Sequence, residues 1–312
     1  MRFSNKRQQS LEQIAFIEKL VRQDRLTWED ALFVATELVK HGSPNARHVL
    51  NNYKKQLGYP HHQHYLELLI KHDNFISSIS GLREIQGDRR LFSELYKLDG
   101  YLFLRGDNHP EKLLVVFTTI FNNFYISNCV LYAILRNFGI SVLFLKDPSL
   151  FVYLNGVSGF GDNIEQVAQN VVDLARRERI SEVYITGFSS GGYASLFASC
   201  LLPCSGYLGF SIASDLSEGS AIDPGKLFTQ AVRTNIDKKY LINVKNFISE
   251  EKKTVERRLY VGELSDFDRA HAANLSELPG IKLNLLRNCN HQTVEALMRD
   301  GSLTDVFHQL LF

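Results

Sequence analysis

Beyond about residue 92, compact apolar runs alternate with stretches in which apolar residues return every three or four positions. A compact run suits a strand buried on both faces, and the wider spacing suits a helix lying on a sheet. The pattern therefore predicts an α/β domain, a mainly parallel sheet covered by helices. Strands are expected over 101–104, 112–119, 140–145, 182–186, 207–212, 258–261 and 281–286. Helices are expected over 128–137, 191–202, 270–278, 293–299 and 303–311, with another opened by Asp162 and Glu165 and faced by Ile164, Val167, Ala168, Val171, Val172 and Ala175. The first two strands flank Gly106-Asp107-Asn108-His109-Pro110 and read as an antiparallel hairpin. Residues 214–255 read as a mostly helical insertion.

The first 88 residues carry a different pattern, helical throughout. Ser10 with Gln13 forms a capping box ahead of the stripe Leu11, Ile14, Ile17, Leu20 and Val21. Thr27 opens a second helix whose stripe runs through Ala31, Val34, Ala35, Leu38 and Val39 until Gly42 stops it. Ser43-Pro44 starts a third, faced by Ala46, Val49, Leu50, Tyr53 and Leu57, and a fourth runs over 62–75. The expected division is a helical domain over 1–88 and an α/β domain over 89–312.

Composition narrows the function classes. Apolar residues make up 45% of the 312 positions, enough for a sizeable core. Lys and Arg total 35 against 34 for Asp and Glu, which gives no overall electrostatic case for a nucleic-acid partner. The N-terminus lacks an apolar secretory core, and the apolar run from Leu113 to Phe121 is too short to span a bilayer as a helix, so a cytoplasmic location without a membrane span is expected. Cys129, Cys200, Cys204 and Cys289 form neither a CxxC pair nor a zinc spacing and read as buried free thiols. His61, His62 and His64 have no acidic or cysteine partner nearby and read as an exposed helix end. Gly156 to Gly161 does not directly follow a strand, which argues against a dinucleotide site. No cofactor or metal is expected.

The chemistry points to Gly187-Phe188-Ser189-Ser190-Gly191, between a strand-like and a helix-like run. Glycines at the first and last positions permit a sharp strand-to-helix turn that exposes the central hydroxyl, and the following helix turns its N–H groups toward the same point. Ser189 is thus a candidate nucleophile.

The order of elements, with this turn, resembles the α/β-hydrolase superfamily over residues 95–312. The run from Gly187 to Leu196, with Asp268-Arg269-Ala270-His271-Ala272 downstream, looks like a bacterial group whose members carry helical N-terminal extensions. The resemblance implies a Ser-Asp-His order along the chain. His291, after the last strand, stands where the base belongs. Asp266 fits the general spacing of the acid and is favoured, whereas Asp268 fits the apparent subgroup. The oxyanion site would join the N–H of Ser190 to one from the loop after the second strand. There Thr118-Thr119 replaces the usual His-Gly, leaving Ile120 or Thr119 as the second donor.

These residues together imply a serine hydrolase acting on a carboxylic ester or thioester through an acyl-serine intermediate, its substrate a small-molecule or glycan-linked acyl group. Acyl transfer to a sugar or other hydroxyl uses the same residues. A non-catalytic interaction protein, with the N-terminal helices meeting a protein partner, is the reading from a different class. The cluster Phe117, Phe121, Phe124 and Tyr125 is expected in the core rather than in an acyl pocket, and the insertion is expected to roof the site.

Overall fold

The computed structural model describes residues 28–43, 45, 46, 49, 60–147, 149, 152–222 and 235–312. The chain divides into two compact units, Met1–Ile79 and Ser80–Phe312. In the first, α1 (Trp28–Lys40) and α2 (Pro60–Ser78) are in contact. Val34, Ala35, Leu38 and Val39 on α1 are buried, as their helical spacing requires, and the turn at Gly42 closes the helix. The helix expected to begin at Ser10, most of the third, and the side chains of His61, His62 and His64 lie outside the described residues.

The second unit begins with α3 (Leu82–Gly87) and α4 (Arg89–Lys97). Asp88 caps α4 by accepting the N–H groups of Arg90 and Leu91, and Leu82, Ile85 and Leu95 are buried. These helices pack on α5 (Asn128–Arg136), so the compact division falls ahead of residue 80. The remaining elements are β1 (Tyr101–Leu104), β2 (His109–Phe117), β3 (Ile140–Leu145), α6 (Ile164–Arg177), β4 (Glu182–Phe188), α7 (Gly192–Leu201), β5 (Gly206–Phe210), α8 (Val244–Ser249), β6 (Arg257–Gly262), α9 (Asp266–Leu275), β7 (Ile281–Leu286), α10 (Thr293–Arg299) and α11 (Leu303–Leu311).

The seven strands form one sheet in the order β1-β3-β2-β4-β5-β6-β7, parallel except for β1. The expected hairpin does not form, because β1 pairs antiparallel with β3 rather than with β2. The reason is burial. Leu113 to Phe117 are all inaccessible and demand strand neighbours on both edges, whereas the partly exposed β1 suits the sheet's edge. Residues 105–108 carry the chain past β3, and the N–H groups of Asn108 and His109 close on the carbonyl of Gly139.

Alternate residues of the central strands face two separate cores. Leu113, Val115, Phe117, Val183 and Ile185 meet α6, α7 and Tyr153 on one side. On the other, Phe124 packs with Phe188, Phe210 and, on α11, Phe307. Phe117 and Phe124 thus belong to opposite cores, while Phe121 is 72% exposed, so the four aromatic residues do not form one group. The α6 cap is Asn163, which accepts the N–H of Gln166, rather than Asp162.

The described part of the insertion is mainly irregular, with one short turn of helix at Lys238–Tyr240 and then α8. Tyr193 of α7 donates its hydroxyl to the carbonyls of Tyr240 and Ile242 and accepts the N–H of Ile242. Asp215 and Asn243 form a bridge at its base. Phe247 packs on Phe197, so this part lies along α7, while Phe228 and the rest of 223–234 fall outside the described residues.

At the far end of the insertion the inaccessible Arg257 pairs with Glu251 and donates to the side chain and carbonyl of Ser199 on α7. A buried guanidinium left without its carboxylate costs several kcal/mol, and deleting it strands the carboxylate instead. Arg257→Ala should lower stability by about 3 kcal/mol, read as a lower denaturant midpoint in chemical unfolding.

Candidate active site

The strand order reverses direction between β2 and β4, because the chain leaves β2 for β3 on one side and then crosses to β4 on the other. A crevice opens beyond the carboxyl ends of strands at such a point. Ser189 stands there, directly after β4, with φ of 53°. That left-handed conformation is uncommon for a residue with a side chain and reverses the chain from strand into α7. The bend is possible only because its flanks are bare. A Cβ on Gly187 would lie 2.6 Å from the carbonyl oxygen of Gly191, and one on Gly191 would lie 2.7 Å from that of Thr118.

His291 lies beyond β7, and its Nε2 is 2.8 Å from Ser189 Oγ. Its Nδ1 is 2.9 and 3.1 Å from the two carboxyl oxygens of Asp268. Carboxylate oxygens accept, so Nδ1 carries the ring hydrogen and Nε2 presents its lone pair to the Ser189 hydroxyl. The Asp268 side chain is wholly inaccessible and the His291 side chain 35% exposed, which fixes one end of the chain in protein and leaves the other reachable. Asp268 also sits in the first turn of α9, where the helix dipole favours a negative group.

The two candidate carboxylates therefore separate. Asp266, favoured on spacing, is the first residue of α9; its side chain is 91% exposed and pairs with Arg269. Ser265 caps the helix by accepting the N–H of Asp268, and α9 begins at Asp266, four residues earlier than expected. Positions two apart on a helix lie roughly 200° around its axis, so Asp268 turns inward where Asp266 turns out.

The loop carrying His291 is held by partners that sequence reasoning did not single out. Ser211 follows β5 with φ of 47° and donates its hydroxyl to the carbonyl of His291 at 2.7 Å. Gly262 lets the same loop approach, since a Cβ there would stand 2.7 Å from the carbonyl oxygen of Cys289. The available signal was positional, because both lie at strand carboxyl ends. His271 is buried elsewhere, its Nδ1 accepting the N–H of Ser214 at the start of the insertion.

The loop after β2 has no glycine and is built by side chains instead. Thr119 donates its N–H to the carbonyl of Asn123 and its hydroxyl to that residue's side chain, so this amide is engaged within the loop. Thr118 is buried, its hydroxyl donating to the carbonyl of Leu145. Ile120 donates its N–H to Ser190 Oγ at 2.9 Å. Among the described residues no group of three His, Cys, Asp or Glu side chains is placed to hold a metal ion, and no helix is long and apolar enough to cross a membrane.

No family model matches the sequence, and no curated protein matches it. Solved structures do. The crystal structure of a 2,6-dihydroxy-pseudo-oxynicotine hydrolase is similar with a TM-score of 0.52 at 14% identity, over 93% of this chain and 90% of that one. The chain has the α/β-hydrolase fold. Also similar are carboxyl esterase 2 from the fungus Tuber melanosporum (TM-score 0.46, 15% identity, 64% of this chain and 79% of that one) and Est1E from Butyrivibrio proteoclasticus (0.47, 17%, 67% and 93%).

In this α/β-hydrolase fold the bend at Ser189 depends on close backbone approach. Gly187→Ala forces a methyl into that approach and should cost about 1–3 kcal/mol or more, measurable as a lowered unfolding midpoint. The thiols are also constrained. Burial pushes Cys129, Cys200 and Cys204 up to about 12 and Cys289 up to about 11. The thiolate is the reactive form, so a thiol-reactive chromophore should react slowly with the native protein and promptly with all four cysteines after unfolding.

Proposed function

We propose that the protein is a serine hydrolase that cleaves a carboxylic ester or thioester through an acyl-Ser189 intermediate. The continuous hydrogen-bonded chain from Ser189 through His291 to Asp268, at the open end of the sheet, carries this reading. His291 Nε2 takes the Ser189 proton as Oγ bonds to the substrate carbonyl carbon, and the carbonyl π electrons move onto its oxygen. Asp268 holds the imidazole in the required tautomer and stabilises the imidazolium. Collapse of the tetrahedral intermediate breaks the bond to the alkoxide or thiolate, which leaves with the proton from His291. Water then enters by the same route in reverse and releases the acid.

The developing oxyanion needs donors fixed in advance. The N–H of Ser190 is one, since amides in the first turn of a helix lack intrahelical acceptors. The second lies on the side of the Ile120 loop. A cytoplasmic location belongs to the same proposal.

A fluorophosphonate probe tests the nucleophile: it should label wild type at Ser189 and leave Ser189→Ala unlabelled, while an unlabelled wild type counts against catalysis. The acid assignment is tested by a pair of variants. Asp268→Asn should lower kcat on an activated ester by about 10³–10⁴-fold, and Asp266→Asn should leave it close to wild type. Equal effects would contradict the assignment. Mass spectrometry of products with and without a sugar acceptor distinguishes hydrolysis from acyl transfer.

A further inference from the structure

The glycine-free loop after β2 creates a difficulty for the proposed reaction, and the Ser190 side chain resolves it. Thr119 spends its N–H on Asn123, and Ile120 directs its own at Ser190 Oγ, 2.9 Å away. An amide aimed at a hydroxyl oxygen is not simultaneously aimed at a substrate oxygen. The backbone donor that this loop would supply thus ends on a side chain.

A serine hydroxyl has one hydrogen and two acceptor lone pairs. Here a lone pair receives Ile120, and among the described residues the hydroxyl donates no hydrogen bond of its own. Accepting one hydrogen bond polarises the O–H group and strengthens it as a donor. Only Cα and Cβ separate this hydroxyl from the backbone N–H of the same residue, so both can bracket one oxygen beside Ser189.

We propose that Ser190 supplies two oxyanion donors, its backbone N–H and its side-chain hydroxyl, with Ile120 acting behind the hydroxyl as the group that orients and polarises it. This rests on the reading of Ser189 as nucleophile. No proton is transferred: the hydroxyl keeps its hydrogen throughout and contributes a hydrogen bond that strengthens as charge moves onto the carbonyl oxygen. The loop needs no glycine because its amide serves a hydroxyl that is already in place. The rival arrangement is a plug, in which Ser190 Oγ fills the oxyanion position in the resting protein and must rotate away to free Ile120.

The two arrangements predict opposite effects of removing the hydroxyl. The experiment measures ester turnover by wild type, Ser189→Ala, Ser190→Ala and Ser190→Thr, together with inhibition by a trifluoromethyl ketone that adds reversibly to the nucleophile and leaves an oxyanion. Ser190→Ala should lower kcat by roughly 10²-fold with KM little changed. The inhibition constant should rise by a similar factor while the unfolding midpoint stays near wild type. Ser190→Thr, which retains a hydroxyl, should recover most of the activity. Turnover by Ser190→Ala equal to or above wild type, while activity still requires Ser189, would overturn the donor role and leave the nucleophile standing. Wild-type turnover that survives Ser189→Ala would remove both.

Discussion

A carboxylate with no solvent access and the imidazole nitrogen that both its oxygens face form the contact on which this site depends. Removing an ion of that size from water costs several kcal/mol even after the protein relaxes. Asp268 is tolerable where it is because both of its oxygens face His291 Nδ1 and the first turn of α9 turns its positive end toward them. The constraint works outward as well. Held through Nδ1, the ring leaves Nε2 directed at Ser189, and the loop around His291 is fixed in turn by Ser211 and by the bare backbone of Gly262.

The parallel sheet supplies the distances. Phe117 of β2 pairs with Gly187 of β4, and Phe188 of β4 pairs with Phe210 of β5, so adjacent strands end almost level. Residues far apart in the chain consequently emerge from one edge: Ile120 after β2, Ser189 after β4, Ser211 after β5, Asp268 after β6 and His291 after β7. Each is placed by strand register, which hydrophobic burial makes costly to shift.

What the sequence disclosed follows from how local the signal is. The bend at Ser189 was legible because the glycine–serine–glycine spacing it requires lies within five consecutive residues, and every central strand was legible because a strand buried on both faces must be apolar along its whole length. His291 was found by position after the last strand. Strand order was not legible: β1 pairs with β3 because of burial that only the finished sheet creates. Which of Asp266 and Asp268 faces His291 turned on where α9 begins, and Ser265 sets that through a single cap. Ser211 offered only its place at a strand's carboxyl end, and the side chain of Ser190 no pattern, since their importance lies in partners about eighty and seventy positions away.

The tie across the base of the insertion has a consequence for how such a chain can diverge. Asp215 and Asn243 meet as a bridge, the Ser214 N–H is held by His271, and Tyr193 grips the returning strand of chain at Tyr240 and Ile242. A segment clamped at its neck communicates little of its own length to the framework, because doubling a closed loop adds only about 0.6 kcal/mol of entropy cost. A change of length between these clamps is therefore a small entropic burden on the framework, provided that Leu216 and Ile236, buried in the main core, keep their places.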